Sequence, residues 1–428
     1  MQYEITEAVQ SAINPGAVKD IYYYGETNTS KQAYPVVKNN RFLQQFANLA
    51  GGTSQFTISP NMGVSDVVVR LALPTDGSNG LTAANVWLAK GWGYSLVRTI
   101  SVRYGGSSQY FWTGSQMLAE NLLDCENDAK KDQLVNLGGA AGTGAALSGA
   151  EAYLYINLPH CSPRAEGKPL PFPSDLLTQP ITITIEMNPI SSVFGFITGQ
   201  TTGKPTQLAE AELQVNQEYL SDTADLLARR VDMNTHAIAV PLKYFAQQEV
   251  TISNGLQPSQ VNNVTLTGFR AGEVRDIMLW LEPAFTQGQN VGSLGQFNWQ
   301  PLTDVTLTYN GEIFFTSNGK ASQLWNLVED KKAAAQAMVD ITPATGAVAS
   351  VIQSEWTLVK FSQVDVPRDR MYDLVSGKPI LNAVVNLQCT LPALPTLGGF
   401  TADKFVLHAV YFYNASILCS RGTSDYIF

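Results

Sequence analysis

Three histidines, His160, His236 and His408, are the residues with which this chain could build a metal site. Sites of the cupin type draw several histidines and one carboxylate from neighbouring strands, and they normally include a His-x-His pair. No such pair occurs, and the three histidines lie far apart in the sequence. His408 falls in an alternating strand pattern, which is more typical of a packed or rim side chain than of a ligand. The histidines therefore predict no metal centre.

A cysteine beside a histidine could form a catalytic dyad, and Cys161 follows His160 directly. Adjacent residues of a strand point to opposite faces, so these two side chains cannot face the same way on a strand. The four cysteines contain no Cys-x-x-Cys pair, which removes zinc-ribbon and thioredoxin chemistry. They are Cys125, Cys161, Cys389 and Cys419. We interpret them as reduced, mostly buried thiols.

An acidic turn and a glycine-rich stretch are the remaining candidates for a binding site. Asp124, Glu126 and Asp128 alternate as in a Ca²⁺ loop, but that loop then requires glycine and glutamate where this chain has alanine and valine. Residues 138–149 contain neither the Gly-Lys-Ser/Thr of a P-loop nor a complete Gly-x-Gly-x-x-Gly, and no Gly-x-Ser-x-Gly elbow occurs. The sequence thus predicts no catalytic, cofactor-binding or metal-binding residue, and a protein that is not an enzyme.

The composition of the 428 residues limits the classes of partner. Hydrophobic residues make up 45% of the chain, which is enough to bury an ordinary core and excludes wholesale disorder. Charged residues make up only 15%, so we expect partner subunits to cover much of the surface. The net charge of -9 argues against direct nucleic-acid binding, which requires clustered Lys and Arg.

The start of the chain, MQYEITEAVQ, lacks the basic and apolar regions of a signal peptide. No apolar run reaches the ~20 residues that a bilayer span requires. We therefore expect a protein without a membrane address. Asn28, Asn263 and Asn414 match the glycosylation sequon, and in this setting we interpret them as chance matches whose glycosylation stays open.

An internal repeat indicates what the chain must build. Four blocks of the first half recur in the same order in the second half, with slowly drifting offsets of the kind that loop insertions produce. The pairs are 63–74 with 272–283, 100–106 with 305–311, 181–187 with 383–389, and 212–220 with 406–414. Each block is rich in β-branched and aromatic residues, as strands are. Gly105-Gly106 and Asn310-Gly311 are predicted to form two-residue hairpin turns.

These patterns predict an all-β fold made of two tandem eight-stranded antiparallel jelly-roll sandwiches with short connecting helices. Helices are predicted over 221–230, between the halves, and over 328–340. Inserts at 120–150 and 318–350 are predicted to be elaborated loops at one end of each sandwich. The expected division is an N-terminal arm over 1–45, a first jelly roll over 46–220, a helical linker over 221–235 and a second jelly roll over 236–428.

The succession of blocks resembles the double jelly-roll major capsid proteins of the nucleocytoplasmic large DNA virus and virophage-like lineage, and the chain is identified as a divergent member. Residues 17–47 resemble the opening of that family, through Asp20, Ile21, Tyr22 and Gly25. The segments ISVRYGG, PLPFPSDLLTQPITITIEM and LQVNQEYLSDTADLLAR resemble its strand and turn, its passage into the next strand and its linker. The closing VYFYNASILCSRGTSDYIF resembles its last strand and tail.

The resemblance implies a structural protein of the virion, assembled inside the host cell. It implies a homotrimer that forms pseudo-hexameric capsomers of an icosahedral capsid, in contact with neighbouring capsomers and minor capsid proteins, and tower loops that could contact a host receptor or glycan. Alternatives are a minor capsid or scaffold paralogue of the same fold, and a carbohydrate-binding or adhesive β-sandwich protein. A bicupin enzyme is a further alternative, which the histidine pattern opposes.

Overall fold

The computed structural model describes most of both halves of the chain. The described residues are 18–21, 36–59, 63–106, 109–123, 125, 128–156, 172–173, 177, 179–220, 237–245, 249–268, 272–285, 292, 296–317, 336–342, 347–354, 356–360, 378–380, 384–397, 399–420 and 423–427.

Strands dominate both halves. In the first half they are β1 Val18–Ile21, β2 Val36–Gln45, β3 Gly52–Ile58, β4 Gly63–Ala72, β5 Val86–Leu88, β6 Val97–Tyr104, β7 Tyr110–Thr113, β8 Gly142–Thr143, β9 Glu151–Tyr155, β10 Phe172–Pro173, β11 Ile181–Met187, β12 Gly195–Phe196 and β13 Glu210–Leu220. In the second half they are β14 Ala237–Phe245, β15 Glu249–Ile252, β16 Val261–Leu266, β17 Gly272–Ala284, β18 Thr303–Tyr309, β19 Glu312–Ser317, β20 Gln336–Thr342, β21 Ala347–Ser354, β22 Trp356–Lys360, β23 Lys378–Ile380, β24 Val385–Thr390, β25 Thr396–Leu397, β26 Phe400–Thr401, β27 Lys404–Ser420 and β28 Thr423–Ile427.

Helices lie in the connections. The α-helices are Trp92–Leu96, Gly114–Leu123 and Asp128–Leu137, and the 3₁₀ helices are Ala83–Asn85, Gly144–Leu147 and Ile190–Ser192. None of the helices in the described part of the chain combines the length and the apolarity needed to cross a bilayer.

The first half is a sandwich of two antiparallel sheets. We letter its eight main strands B to I in chain order, as β2, β3, β4, β6, β7, β9, β11 and β13. One sheet then has the order B-I-D-G, with β10 extending the G edge beside β4, and the other has the order C-H-E-F. This is the strand order of a jelly roll. The periodicity of β11 shows why the sheets pack, because it alternates buried Ile and Met with half-buried Thr and Glu.

The second half repeats this order. Its strands B to I are β14, β16, β17, β18, β19, β22, β24 and β27, and they form a B-I-D-G sheet and a C-H-E-F sheet. β15 continues strand B beside β27, and β23 extends the G edge beside β17. β1 pairs in parallel with β14, and β28 pairs with β27. The predicted double jelly roll with short connecting helices is therefore confirmed.

Each of the four sequence repeats falls on equivalent strands. The pair 63–74 and 272–283 covers strand D, and 100–106 and 305–311 cover strand E. The pair 181–187 and 383–389 covers strand H, and 212–220 and 406–414 cover strand I. The repeat thus reflects two copies of one folding unit.

The alignment within strand D is wrong by one residue. Both D strands carry a β-bulge in their pairing with strand I, immediately before Asp66 and immediately before Asp276. Matching the bulges makes Asp66 and Asp276 equivalent, whereas the alignment of Gly63 with Gly272 matches Asp66 with Arg275. A shift of one residue moves every side chain of a strand to the other face. The bulges therefore decide which residues of the two halves lie on equivalent faces.

Two further expectations need correction. Part of the helix predicted over 328–340 is wrong, because Gln336–Thr342 is strand β20, paired with β21 and containing β-branched residues that favour strands. The Gly105-Gly106 pair does not form a two-residue turn, since β6 pairs Val102 with Tyr110 and leaves a longer loop. The Asn310-Gly311 turn is confirmed, with φ of 51° and 82° at its two residues.

The long insert over 120–150 is more helical than predicted. It contains the end of the helix Gly114–Leu123 and the whole helix Asp128–Leu137, which lies against β20 of the second insert. The two inserts are therefore in contact with each other. The helix predicted over 221–230 lies outside the described residues.

The predicted N-terminal arm overlaps a strand of the first sandwich. β2 pairs with β13 along its length, although Val36–Gln45 was assigned to the arm over 1–45. The C-terminal part of the predicted arm therefore lies in a sheet of the first sandwich. The linker over 221–235 lies outside the described residues, and the rest of the domain division stays a prediction.

Candidate functional site: the junction between the sandwiches

The two sandwiches share one continuous apolar core. The same buried cluster contains residues of both halves, among them Ile183 in the first and Leu279 in the second. The rings of Tyr94 and Phe297 meet edge to face across the contact, with centroids 6.2 Å apart. A smaller cluster joins Trp87 of the first half to Leu397 of the second. The sandwiches are therefore packed against each other as folded units.

Strand β17 is buried on both of its faces. Its residues 277–281, with the sequence IMLWL, are all at 0% exposure. Ile277, Leu279 and Leu281 face the core of their own sandwich, so Met278 and Trp280 point outward. We call the outward-pointing side the second outer face. It comprises Met278, Trp280 and Glu282 on β17, His408 and Val410 on β27, and Glu249 on β15.

The first sandwich covers the second outer face. The end of strand F and the start of the following helix supply Thr113 and Ser115. The Thr113 hydroxyl donates to Glu249, and Ser115 Oγ donates to Glu282 Oε1 at 3.2 Å. The two acidic residues thus receive hydrogen bonds from the other sandwich.

His408 lies between the two carboxylates. Its Nδ1 bonds to Glu249, and its Nε2 is 3.4 Å from Glu282 Oε2. Glu282 also accepts a hydrogen bond from Trp299 Nε1 at 2.9 Å. The ring of Trp280 stacks on the imidazole, with centroids 5.1 Å apart and planes 3° apart. We call Thr113, Ser115, Glu249, Glu282 and His408 the junction cluster.

The carboxylates keep His408 charged. Burial alone would lower the pKa of the imidazole, but the charges of Glu282 and Glu249 and their hydrogen bonds raise its pKa to about 10. Burial likewise works to raise the pKa of Glu282, yet the His408 charge and the hydrogen bonds from His408, Trp299 and Ser115 hold it below its usual value. The raised pKa of His408 thus favours the charged form of its imidazole at neutral pH.

This arrangement is suited to holding two domains together. The carboxylates bond to opposite nitrogens of one ring, so the three groups do not converge on a common point. Within the described residues, no group of His, Cys, Asp and Glu has a geometry that would hold a metal ion. Buried ion pairs of this kind favour one arrangement of the surrounding elements, because displacement of either sandwich would leave the charges at His408 without their partners.

The other residues singled out in the sequence lie away from this junction or outside the described residues. His160, His236, Cys161, Asp124, Glu126 and Asn28 fall outside them. Asp128 begins the helix Asp128–Leu137, and Cys419 and Asn414 lie in β27. Cys389 is buried, and burial raises the pKa of its thiol to about 12. Asn263 is exposed on β16, where Gln388 Nε2 donates to its side chain at 3.1 Å.

Sequence reasoning placed His408 on a strand but missed its partners. Glu249 and Glu282 lie far from it in the chain, and only the pairing of β15 and β17 with β27 brings them together. One signal was available. The unbroken apolar run IMLWL predicts a strand covered on both faces, unlike the alternation of β11.

Comparison with known proteins supports the fold. No protein-family model matches the sequence, and no curated protein matches it significantly. Among solved structures, a chain of the PBCV-1 virus capsid matches with a TM-score of 0.57 at 12% identity, covering 96% of this chain and 99% of the other. A chain of the Sputnik virophage matches with a TM-score of 0.53 at 10% identity, covering 96% and 93%.

The major capsid protein of Sulfolobus turreted icosahedral virus gives a TM-score of 0.50 at 13% identity, covering 88% of this chain and 96% of the other. These matches run along nearly the whole length of each chain, while the sequences have diverged almost completely. The likeness and the strand order together identify the fold as the double jelly roll of these viral proteins.

Proposed function

We propose that this protein is a structural capsid subunit and that its function is assembly. The main evidence for the proposal is that the chain forms two sandwiches with the same strand order, which a buried junction holds side by side. The full-length likeness to chains of viral capsids supports it. The protein then acts through the surfaces it presents to copies of itself, in the shell of a virion, and it needs no cofactor.

We propose a homotrimer as the assembling unit. Three chains bring six sandwiches, which can form a pseudo-hexameric capsomer that tiles an icosahedral shell. The charged fraction of 15% is favourable for this role, since obligate interfaces are depleted in charge. The two inserts, which contact each other, would form the tower loops, where contacts with a receptor or glycan would lie.

The other parts of the chain would serve the same assembly. Part of the predicted arm over 1–45 would reach a neighbouring subunit, although its segment Val18–Ile21 pairs with β14 of the same chain. Residues 221–235 would link the jelly rolls. Neighbouring capsomers and minor capsid proteins would be the partners of the trimer. The net charge of -9 favours a shell that does not bind the genome directly.

Sedimentation equilibrium of the purified chain at micromolar concentration tests the proposal. We expect a single species with three times the 46.5 kDa mass of the chain. A monodisperse monomer would contradict a capsid role, and a monomer retained specifically on a glycan array would favour an adhesive protein. A scaffold paralogue would form the trimer and yet be missing from mature particles.

A further inference from the structure

An ionic cluster marks the outward side of the first B-I-D-G sheet. Arg70 on β4 bonds to Glu151, and its Nη1 lies 2.9 Å from Glu210 and 3.4 Å from Glu212. Tyr153 lies opposite Arg70 on β9 and donates to Glu151 at 2.6 Å. We call Arg70, Glu151, Tyr153, Glu210 and Glu212 the Arg70 cluster.

The Arg70 cluster carries surplus negative charge at the surface. One guanidinium faces three carboxylates, so two negative charges have no cation of their own within the cluster. The side chains of Glu210 and Glu151 are 60% and 36% exposed. Such a surface favours a partner that brings hydrogen-bond donors or cations.

The cluster occupies the same place on the first sandwich as the junction cluster does on the second. Arg70 lies four residues beyond the bulge at Asp66, and Trp280 lies four residues beyond the bulge at Asp276. Their direct partners on strand I are Glu212 and His408. The B-I-D-G outer faces of the two sandwiches are therefore equivalent surfaces that carry acidic groups.

The contact between the sandwiches uses two different surfaces. The first sandwich supplies the end of strand F and the start of the next helix, and the second supplies its B-I-D-G outer face. In such a head-to-tail contact each sandwich uses a different surface, so the strand F end of the second sandwich and the B-I-D-G outer face of the first do not take part. The unused outer face is the one with the Arg70 cluster.

We propose that the Arg70 cluster is the docking surface for the second sandwich of another copy of this chain, in a contact that repeats the junction. This inference rests on the proposed capsid function and names the surface through which the trimer would close. The neighbour supplies donors to the surplus carboxylates, as Thr113 and Ser115 do to Glu249 and Glu282. Alternation of the two contacts closes a ring of three chains and six sandwiches.

Charge reversal tests the proposal. Glu210→Lys and Glu151→Lys place a cation where the neighbour's donors are expected, and Thr57→Lys places the same side chain on the exposed face of the other sheet. Sedimentation equilibrium should show the trimer dissociating at least tenfold more readily in either glutamate variant, and within twofold of wild type in the control. Hydrogen exchange should show β9 and β13 more protected in the wild-type trimer than in the variant monomers.

The possible results distinguish a failure of the proposed docking surface from a failure of the proposed capsid function. Trimers of both glutamate variants as tight as wild type would overturn the docking surface and leave the capsid proposal standing. A wild-type chain that stays monomeric would overturn both. Circular dichroism of each variant shows whether the sandwiches remain folded, and a glutamate variant that is folded but monomeric supports the inference.

Discussion

Replacement of His408 by alanine should lower the stability of the protein by more than a surface ion pair contributes. The change leaves Glu249 and Glu282 buried in the contact without the cation between them. Removal of one partner from a buried ion pair costs about 3–5 kcal/mol, because the remaining charge stays desolvated and unpaired. We therefore expect His408→Ala to lower the free energy of unfolding by about 3–5 kcal/mol.

Arg98→Ala is the matched control. Arg98 pairs with Glu186 at 2.9 Å, but the two side chains are 64% and 36% exposed. A pair this exposed contributes less than about 1 kcal/mol. The two variants therefore contrast the loss of a buried cation that faces two carboxylates with the loss of an exposed cation that faces one.

Urea unfolding followed by tryptophan fluorescence measures the effect, because Trp280 stacks on His408 and Trp299 bonds to Glu282, so both report on the junction. Neutralising both acids in the His408→Ala background, with Glu249→Gln and Glu282→Gln, should recover part of the lost stability, since the uncompensated charges are then gone. A loss from His408→Ala no larger than that from Arg98→Ala would refute the reasoning.

Three further predictions follow from single sites. The pKa of His408 is raised to about 10, so the stability contributed by its charge is complete below pH ~6.5 and is lost as the pH rises through about 10. The melting temperature should therefore fall over this range in wild type and much less in His408→Ala. Gly114→Ala should cost about 1–3 kcal/mol in thermal unfolding because its Cβ would overlap a backbone carbonyl oxygen. Gly106→Ala should be neutral, since its Cβ would make only an ordinary contact with Gln179 Oε1 at 3.8 Å, and equal effects of the two changes would contradict the packing. Cys389 is buried and its thiol pKa is raised to about 12, so it should resist a thiol reagent in the native protein under conditions in which half-buried Cys125 reacts. Peptide mass spectrometry measures the labelling of each cysteine, and equal labelling would contradict the burial of Cys389.

Much of the fold could be predicted from the sequence because its strands are repeated. The alternation in Ile181–Met187 and the four ordered blocks specify antiparallel strands in two similar units. The Asn310-Gly311 pair specifies its turn through the positive φ that both positions require. These signals are local, so they can be interpreted without knowledge of the tertiary structure.

The remaining features depend on contacts between distant segments. The match of Gly63 with Gly272 caused the error of one residue in strand D, because the bulges that reveal the correct correspondence leave no mark in composition. The helix Gly114–Leu123 was missed because it lies in a connection whose later part has loop composition. The partners of His408 come from two other strands, so no spacing in the sequence could indicate them.

Cryo-electron microscopy of the purified assembly tests the central claim most directly. The account predicts a ring of three chains in which six sandwiches stand side by side, with the contact between chains resembling the contact within each chain. Particles that contain only one chain, or an assembly in which the two sandwiches of a chain are not packed through His408, would contradict it.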